Sequence, residues 1–257
     1  MAVTTDRQGG VGLIRLDRPP ANSYDKTFMD ELNGAIDSIR FDESIRAAVV
    51  LSENTRFFSA GADIKMFLES SLEFKRALIL HAHEILQKIA NTHKVFIAAI
   101  GGHCLGGGLE IALACDLRFA AEGDYRIGLP ESTLGLLPGN GGTQRLARLI
   151  GRNKALDMIL TGEPVAPTRA FELGIVDKLF SPERLHAEAI AYAEKLATGP
   201  ALAHGNIKLA TVLGFEMPLD AGLAWERELV HELFASDDAK EGFAAFVEKR
   251  PAKWTGK

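Results

Sequence analysis

The chain has 257 residues, between one and two domains at ~150 residues each, and its 47% hydrophobic and 25% charged content excludes a disordered or collagen-like polymer. Its 29 basic against 34 acidic side chains leave a net charge of −5, and without a basic stripe no nucleic-acid partner is expected. No apolar run approaches the ~18–20 residues of a membrane span, and the polar start MAVTTDRQGG resembles neither a secretory signal nor an Arg-rich presequence, so no membrane contact and a cytoplasmic location are expected.

Val11–Leu16 reads as a strand that stops at Asp17-Arg18-Pro19-Pro20, where proline cannot extend a ladder. An amphipathic helix follows, with Phe28, Leu32, Ala35, Ile36 and Ile39 on one face and Asp25 placed to cap it. Ala47–Leu51 is a buried strand, and Phe57–Ala62 is a short segment of small residues. Leu72–Ala90 is a long helix with Leu78, Ile85 and Ile89 inward, and Val95–Ile100 is the next strand. Beyond a glycine run come a helix at Leu109–Ala114 and strands at Leu117–Ala120 and Tyr125–Ile127. From Gly142 onward the pattern is helical, through Gln144–Leu149, Lys154–Leu160, Thr168–Leu173, Pro182–Ala197 and three segments between Ala201 and Lys249. Strands alternating with helices, then helices alone, give an α/β core with an appended helical region. Cys104 and Cys115 lie inside apolar runs, as buried thiols of a reducing compartment do.

Two loops carry the residues capable of chemistry. Gly101-Gly102-His103-Cys104-Leu105-Gly106-Gly107-Gly108-Leu109-Glu110 joins a strand to a helix, and its glycines bring backbone N–H groups close to a ligand. It lacks both the G-x-G-x-x-G spacing and the Lys-Ser/Thr pair of nucleotide loops. Glu110 falls in the first turn of the helix. There it either complements the helix dipole alone or works beside glycine N–H groups that hold an oxyanion. Gly128-Leu129-Pro130-Glu131 brings a second carboxylate, followed by the backbone-shaping stretch Gly135–Arg145. Two neighbouring carboxylates push their pKa values apart, which suits an acid and a base; spacing leaves open whether Glu110 and Glu131 meet. Rival sites fail: His83-Glu84-Ile85-Leu86-Gln87 lacks the second histidine of a zinc motif, and no G-x-S-x-G occurs.

The chain resembles the crotonase, or enoyl-CoA hydratase/isomerase, superfamily, most like its 2-enoyl-CoA hydratases. Phe58–Lys65, Leu105–Glu110, Gly128–Glu131, Pro138–Leu146 and Ala235–Pro251 carry the resemblance, in the expected order over nearly the whole length. It implies a spiral of β-β-α turns over residues 1–195, then a helical region at 196–257 that assembles trimers, often as dimers of trimers. It also implies an acyl-CoA thioester as substrate, with Ala62 and Gly107 N–H groups binding the thioester oxygen. Glu110 would take a proton from water as it attacks Cβ, and Glu131 would protonate Cα, giving a (3S)-3-hydroxyacyl-CoA. Neither a metal nor a cofactor is implied, because the thioester is the electron sink and coenzyme A arrives with the substrate. Ala60, Ala62, Asp63, Ile64 and Lys65 match the CoA-binding segment, with Lys65 and Lys249 as phosphate partners or simply exposed lysines. Met66, Phe67, Leu68 and Leu78 either line the acyl pocket or belong to the core. One departure stands out: the family commonly has Asn-Ala-Leu-Asn after the first prolines, whereas here Asn22-Ser23-Tyr24-Asp25 has a larger, polar Tyr24 that is either neutral or reshapes the CoA channel. An isomerase, or a lyase or hydratase acting on a branched or cyclic acyl-CoA, would reuse the same oxyanion site.

Overall fold

The chain begins as β1 (Val3–Gln8), which turns back antiparallel into β2 (Val11–Leu16). The computed structural model describes residues 1–257. Asp25 caps α1 (Lys26–Phe41) as expected, its carboxylate accepting from the Phe28 N–H at 2.9 Å. Three turns of one pattern follow. β3 (Ala47–Ser52) leads to β4 (Phe57–Ser59), then to α2 (Ile64–Glu69) and α3 (Leu72–Ala90). β5 (Val95–Ile100) leads to β6 (His103–Leu105) and α4 (Gly107–Ala114). β7 (Leu117–Ala121) leads to β8 (Ile127–Gly128), a 3-10 turn at Pro130–Leu134, and α5 (Gly142–Ile150).

In each turn the first strand joins a large sheet and the second a small one. The large sheet runs β1-β2-β3-β5-β7 and then β9 (Lys178–Phe180), parallel from β2 onward. The small one is β4-β6-β8, also parallel. This is the β-β-α spiral of the crotonase fold. Strands β3 and β5 are nearly continuous in apolar residues because helices cover the sheet. α8 (Leu185–Ala197) lies across β2, β3, β5 and β7. After α6 (Arg152–Thr161) and α7 (Pro167–Leu173), the chain closes with α9 (Ala201–Gly214), α10 (Leu219–Ala235) and α11 (Asp237–Glu248).

The connected core spans Val3 to Ala197 and takes nothing from α9–α11. The expected break after residue 195 thus falls in the last turn of α8, whose Ala197 still packs in the core. A buried ion pair ties the helical region down. Lys208 of α9 reaches Asp116 at 2.8 Å and donates to the Ile89 and Lys94 carbonyls. Cys104 and Cys115 are buried and unpaired.

The structure corrects several sequence readings. β1 is a strand within the polar start, where none was expected: it is the edge of the sheet, so of its side chains only Val3 is buried. β4 and β6 have three residues each, too few to show a period of two, and β6 lies inside the glycine run. β9 interrupts the second half that reads as helical throughout. Tyr125 lies outside the strand expected at 125–127; its hydroxyl sits between the carbonyl ends of β5 and β7, 2.8 Å from Ile100 O and 2.7 Å from Ala121 O, which share its one proton. The helix expected from Leu109 starts two residues earlier, at Gly107.

Candidate active site

The site is built where α4 begins. Gly106, at φ 54°, turns the chain out of β6, and Gly107 opens the helix. An N–H at the first helical position has no intrahelical acceptor. Facing it, Tyr24 forms an isolated parallel bridge with Ala62. The Tyr24 N–H donates to Gly61 O and the Asp63 N–H to Tyr24 O, both at 2.8 Å. These two bonds bracket Ala62, so its own N–H points to the opposite side, away from Tyr24. Gly61, at φ 90°, lets the two segments touch: a Cβ there would stand 3.0 Å from Gly107 N. The Ala62 and Gly107 amides are therefore neighbours, near the positive end of α4.

The carboxylates flank this corner. Glu110 is buried in the first turn of α4, and its Oε1 accepts from the Asn140 N–H at 2.6 Å and the Gly142 N–H at 2.7 Å. Burial raises its pKa, opposed by those two N–H groups and by the Arg145 guanidinium. Glu131 sits in the 3-10 turn with Oε1 against Gly106, where a Cβ would come within 3.0 Å of it. Its Oε2 is buried without a partner. Burial, with the charge of Glu110 adding to it against Glu131's own backbone N–H, pushes its pKa up to about 7. The charge of Glu110 reaches Glu131, and their surroundings differ: two N–H donors and Arg145 oppose the effect of burial on Glu110, whereas Glu131 is poised to keep its proton.

That inequality has a measurable cost in stability. The folded-state value of about 7 lies above the ordinary 4.5, so the unfolded chain ionises first as pH rises, and stability falls between those values. Glu131→Gln is expected to stabilise the fold at pH 8 by about 1–2 kcal/mol, allowing for partial exposure, with the gain shrinking as pH is lowered to 5. Thermal melts at both values check this; an equal gain at pH 5 and pH 8 contradicts it.

Two residues of the site lay outside the sequence-based set. Asn140 supplies a backbone N–H to Glu110, and its Nδ2 donates to the Tyr24 hydroxyl at 2.6 Å. Its position, an Asn between glycines ahead of an amphipathic helix, was a visible signal. Tyr24 itself packs on Gly107, in the floor of the site and in range of both carboxylates' charge. Of the expected CoA-binding residues, Ala60 donates its N–H to Ala21 O. The Asp63 carboxylate is engaged in capping α2 through the Lys65 and Met66 N–H groups. Ile64 and Lys65 are exposed on α2, beside Ala62. Lys249 closes α11 in a left-handed conformation, exposed, with no hydrogen bond or ion pair to the site. Leu68 is 83% exposed and Leu78 is buried, while Met66 and Phe67 are half-buried. A separate cavity lies at the far end of α4 around Leu113–Asp116.

A family model described as enoyl-CoA hydratase/isomerase matches residues 6–257. The chain belongs to the enoyl-CoA hydratase/isomerase family. One family relative, a probable enoyl-CoA hydratase of Rhizobium meliloti (strain 1021), is 41% identical over 250 residues, covering 97% of this chain and 96% of its own. Among solved members, an enoyl-CoA hydratase of Geobacillus kaustophilus HTA426 superposes with a TM-score of 0.98 at 48% identity, over 100% of this chain and 97% of its own. Another, from Bacillus anthracis, gives 0.95 at 34% identity with both chains fully covered.

Proposed function

We propose that the protein is a 2-enoyl-CoA hydratase that adds water across the 2,3 double bond to give a (3S)-3-hydroxyacyl-CoA. The observation that carries this is the unequal carboxylate pair flanking two backbone N–H groups. As the nucleophile bonds to Cβ, electron density moves onto the thioester oxygen. The Ala62 and Gly107 N–H groups stabilise that charge, each worth ~3 kcal/mol by analogy with other oxyanion donors. Glu110, once ionised, takes a proton from water while the water oxygen attacks Cβ. Glu131 delivers its proton to Cα, so OH stands on Cβ and H on Cα, and the cycle closes when the proton now on Glu110 passes to the Glu131 carboxylate, restoring both groups. No metal or bound cofactor takes part in this scheme.

Lys65 and Lys249 are assigned to the anionic end of coenzyme A on family resemblance, and the exposure of Lys65 beside Ala62 supports its share of that role. Exposed apolar side chains on α10 and α11, among them Leu219, Phe234, Phe243, Phe246 and Val247, support a role for residues 196–257 in packing copies into trimers or hexamers. The buried, unpaired cysteines suit a reducing, cytoplasmic compartment.

The test follows loss of the conjugated thioester absorbance with crotonyl-CoA and longer 2-enoyl-CoA esters. Turnover of these, with 3-enoyl-CoA esters slower, is the expected result. Faster reaction of 3-enoyl esters would replace the hydratase with an isomerase.

A further inference from the structure

Tyr24 stands where the family commonly carries leucine, yet its hydroxyl is built into a polar chain that ends on a carboxylate. The ring is buried against Gly107, where a Cβ would fall 2.3 Å from Cε1 and 2.5 Å from the hydroxyl oxygen. The hydroxyl pairs with Asn140 Nδ2 at 2.6 Å, and Asn140 is 1% exposed. This is the amide's single hydrogen bond, since Oδ1 is buried without a partner. Turning the amide over leaves the conclusion unchanged: the phenol then donates to Oδ1 instead. A buried amide with one bond is held by that bond, and without it both of its polar atoms are orphaned.

The same residue's backbone N–H donates to Glu110 Oε1, and the Gly142 N–H two residues on supplies the second bond. Tyr24 is immobile in turn, because its backbone is paired with Gly61 and Asp63 on either side of Ala62. A continuous path therefore joins the strand that presents the Ala62 amide to the loop that holds Glu110.

We propose that Tyr24 is a positioning residue: its hydroxyl, through Asn140, holds the 139–142 backbone so that both N–H groups stay on Glu110 and keep that carboxylate the base of the pair. This rests on the hydratase reading above. Besides those donors, Glu110 faces the guanidinium of Arg145 on α5, the carboxyl of Glu131 on the 3-10 turn, and Tyr24 itself. Arg145 Nη1 also donates to Asn140 O at 2.9 Å and His83 Nε2 pairs with Gly139 O at 2.6 Å, and a change at Tyr24 deletes neither bond nor any charge; what it removes is the side-chain tie that orients the two N–H groups. Weakening their bonds to Glu110 removes the interactions that offset burial and raises the Glu110 pKa.

The test uses the full-length protein with Tyr24→Phe, Asn140→Ala and the double variant. Tyr24→Phe is expected to lower kcat about tenfold near pH 6, with KM within about twofold, and to move the acid limb of kcat/KM up by about one pH unit. Asn140→Ala should do the same, and the double variant no more than either single, because both cut one link. A purely structural tyrosine would lower Tm and leave the acid limb in place, which overturns the proposal, as do effects that multiply in the double variant. A wild-type protein inert toward every 2-enoyl-CoA sinks the hydratase reading instead. The positioning role is then read without turnover, by carbon NMR titration of labelled Glu110, where an unchanged pKa in Tyr24→Phe overturns it and an upward shift supports it.

Discussion

Replacing either Glu110 or Glu131 by glutamine is expected to lower kcat toward a 2-enoyl-CoA by about 10²–10⁴-fold while leaving the fold intact. The amide is nearly isosteric. At position 110 its oxygen can still accept from the Asn140 and Gly142 N–H groups, so the loop stays in place and what is lost is the negative charge that takes the proton. At position 131 no protein partner of Oε2 is broken, and what is lost is the proton for Cα. The two variants are separable by pH. Wild-type kcat/KM should be bell-shaped, needing Glu110 ionised and Glu131 protonated, with the alkaline limb near the Glu131 value of about 7. Because the charges interact, the limbs belong to the pair rather than to either residue. The residual activity of Glu131→Gln should lose its alkaline limb, and that of Glu110→Gln its acid limb. An alkaline limb that persists in Glu131→Gln assigns the acid to another group and breaks the division of labour proposed here.

The parts of this site that were legible in the sequence are those that use local chemistry. Asp25 before an apolar-periodic segment is a cap in any context, and it caps α1. Glu110 beyond a glycine run was readable as a first-turn carboxylate, and its burial follows from the apolar helix around it. What could not be read is what the spiral brings together. The small sheet consists of two- and three-residue strands, paired only because each sits one turn above the last. Its register, Leu105 opposite Gly128, is what carries Glu131 to Gly106. Asn140 reaches Glu110 across 30 positions and Tyr24 across 116, separations that no periodicity encodes. Tyr24 could be recognised as a departure, either neutral or bearing on the CoA channel; that its side chain lies beneath Gly107 is visible only in the structure.

Gly107→Ala should be about as damaging as removing a carboxylate, through geometry rather than chemistry. The added Cβ would stand 2.3 Å from Tyr24 Cε1, 2.5 Å from its hydroxyl oxygen and 2.8 Å from Cζ, far inside any real contact. The ring cannot swing aside cheaply, since the backbone on both sides of Ala62 holds Tyr24 and its hydroxyl is tied to Asn140. Either α4 shifts and takes the Gly107 N–H off the thioester oxygen, or Tyr24 moves and releases the loop behind Glu110. Overpacking of this kind costs about 1–3 kcal/mol of stability, and loss of one oxyanion donor costs about 10²–10³-fold in kcat. The clash names its own suppressor. Adding Tyr24→Ala to Gly107→Ala removes the atoms in conflict, so the double variant should be more stable than the sum of the two single losses, with a coupling of at least about 1 kcal/mol. Denaturant melts of the four proteins measure it. Simple additivity would mean that Tyr24 does not set the position of Gly107, and that the alanine acts elsewhere on α4.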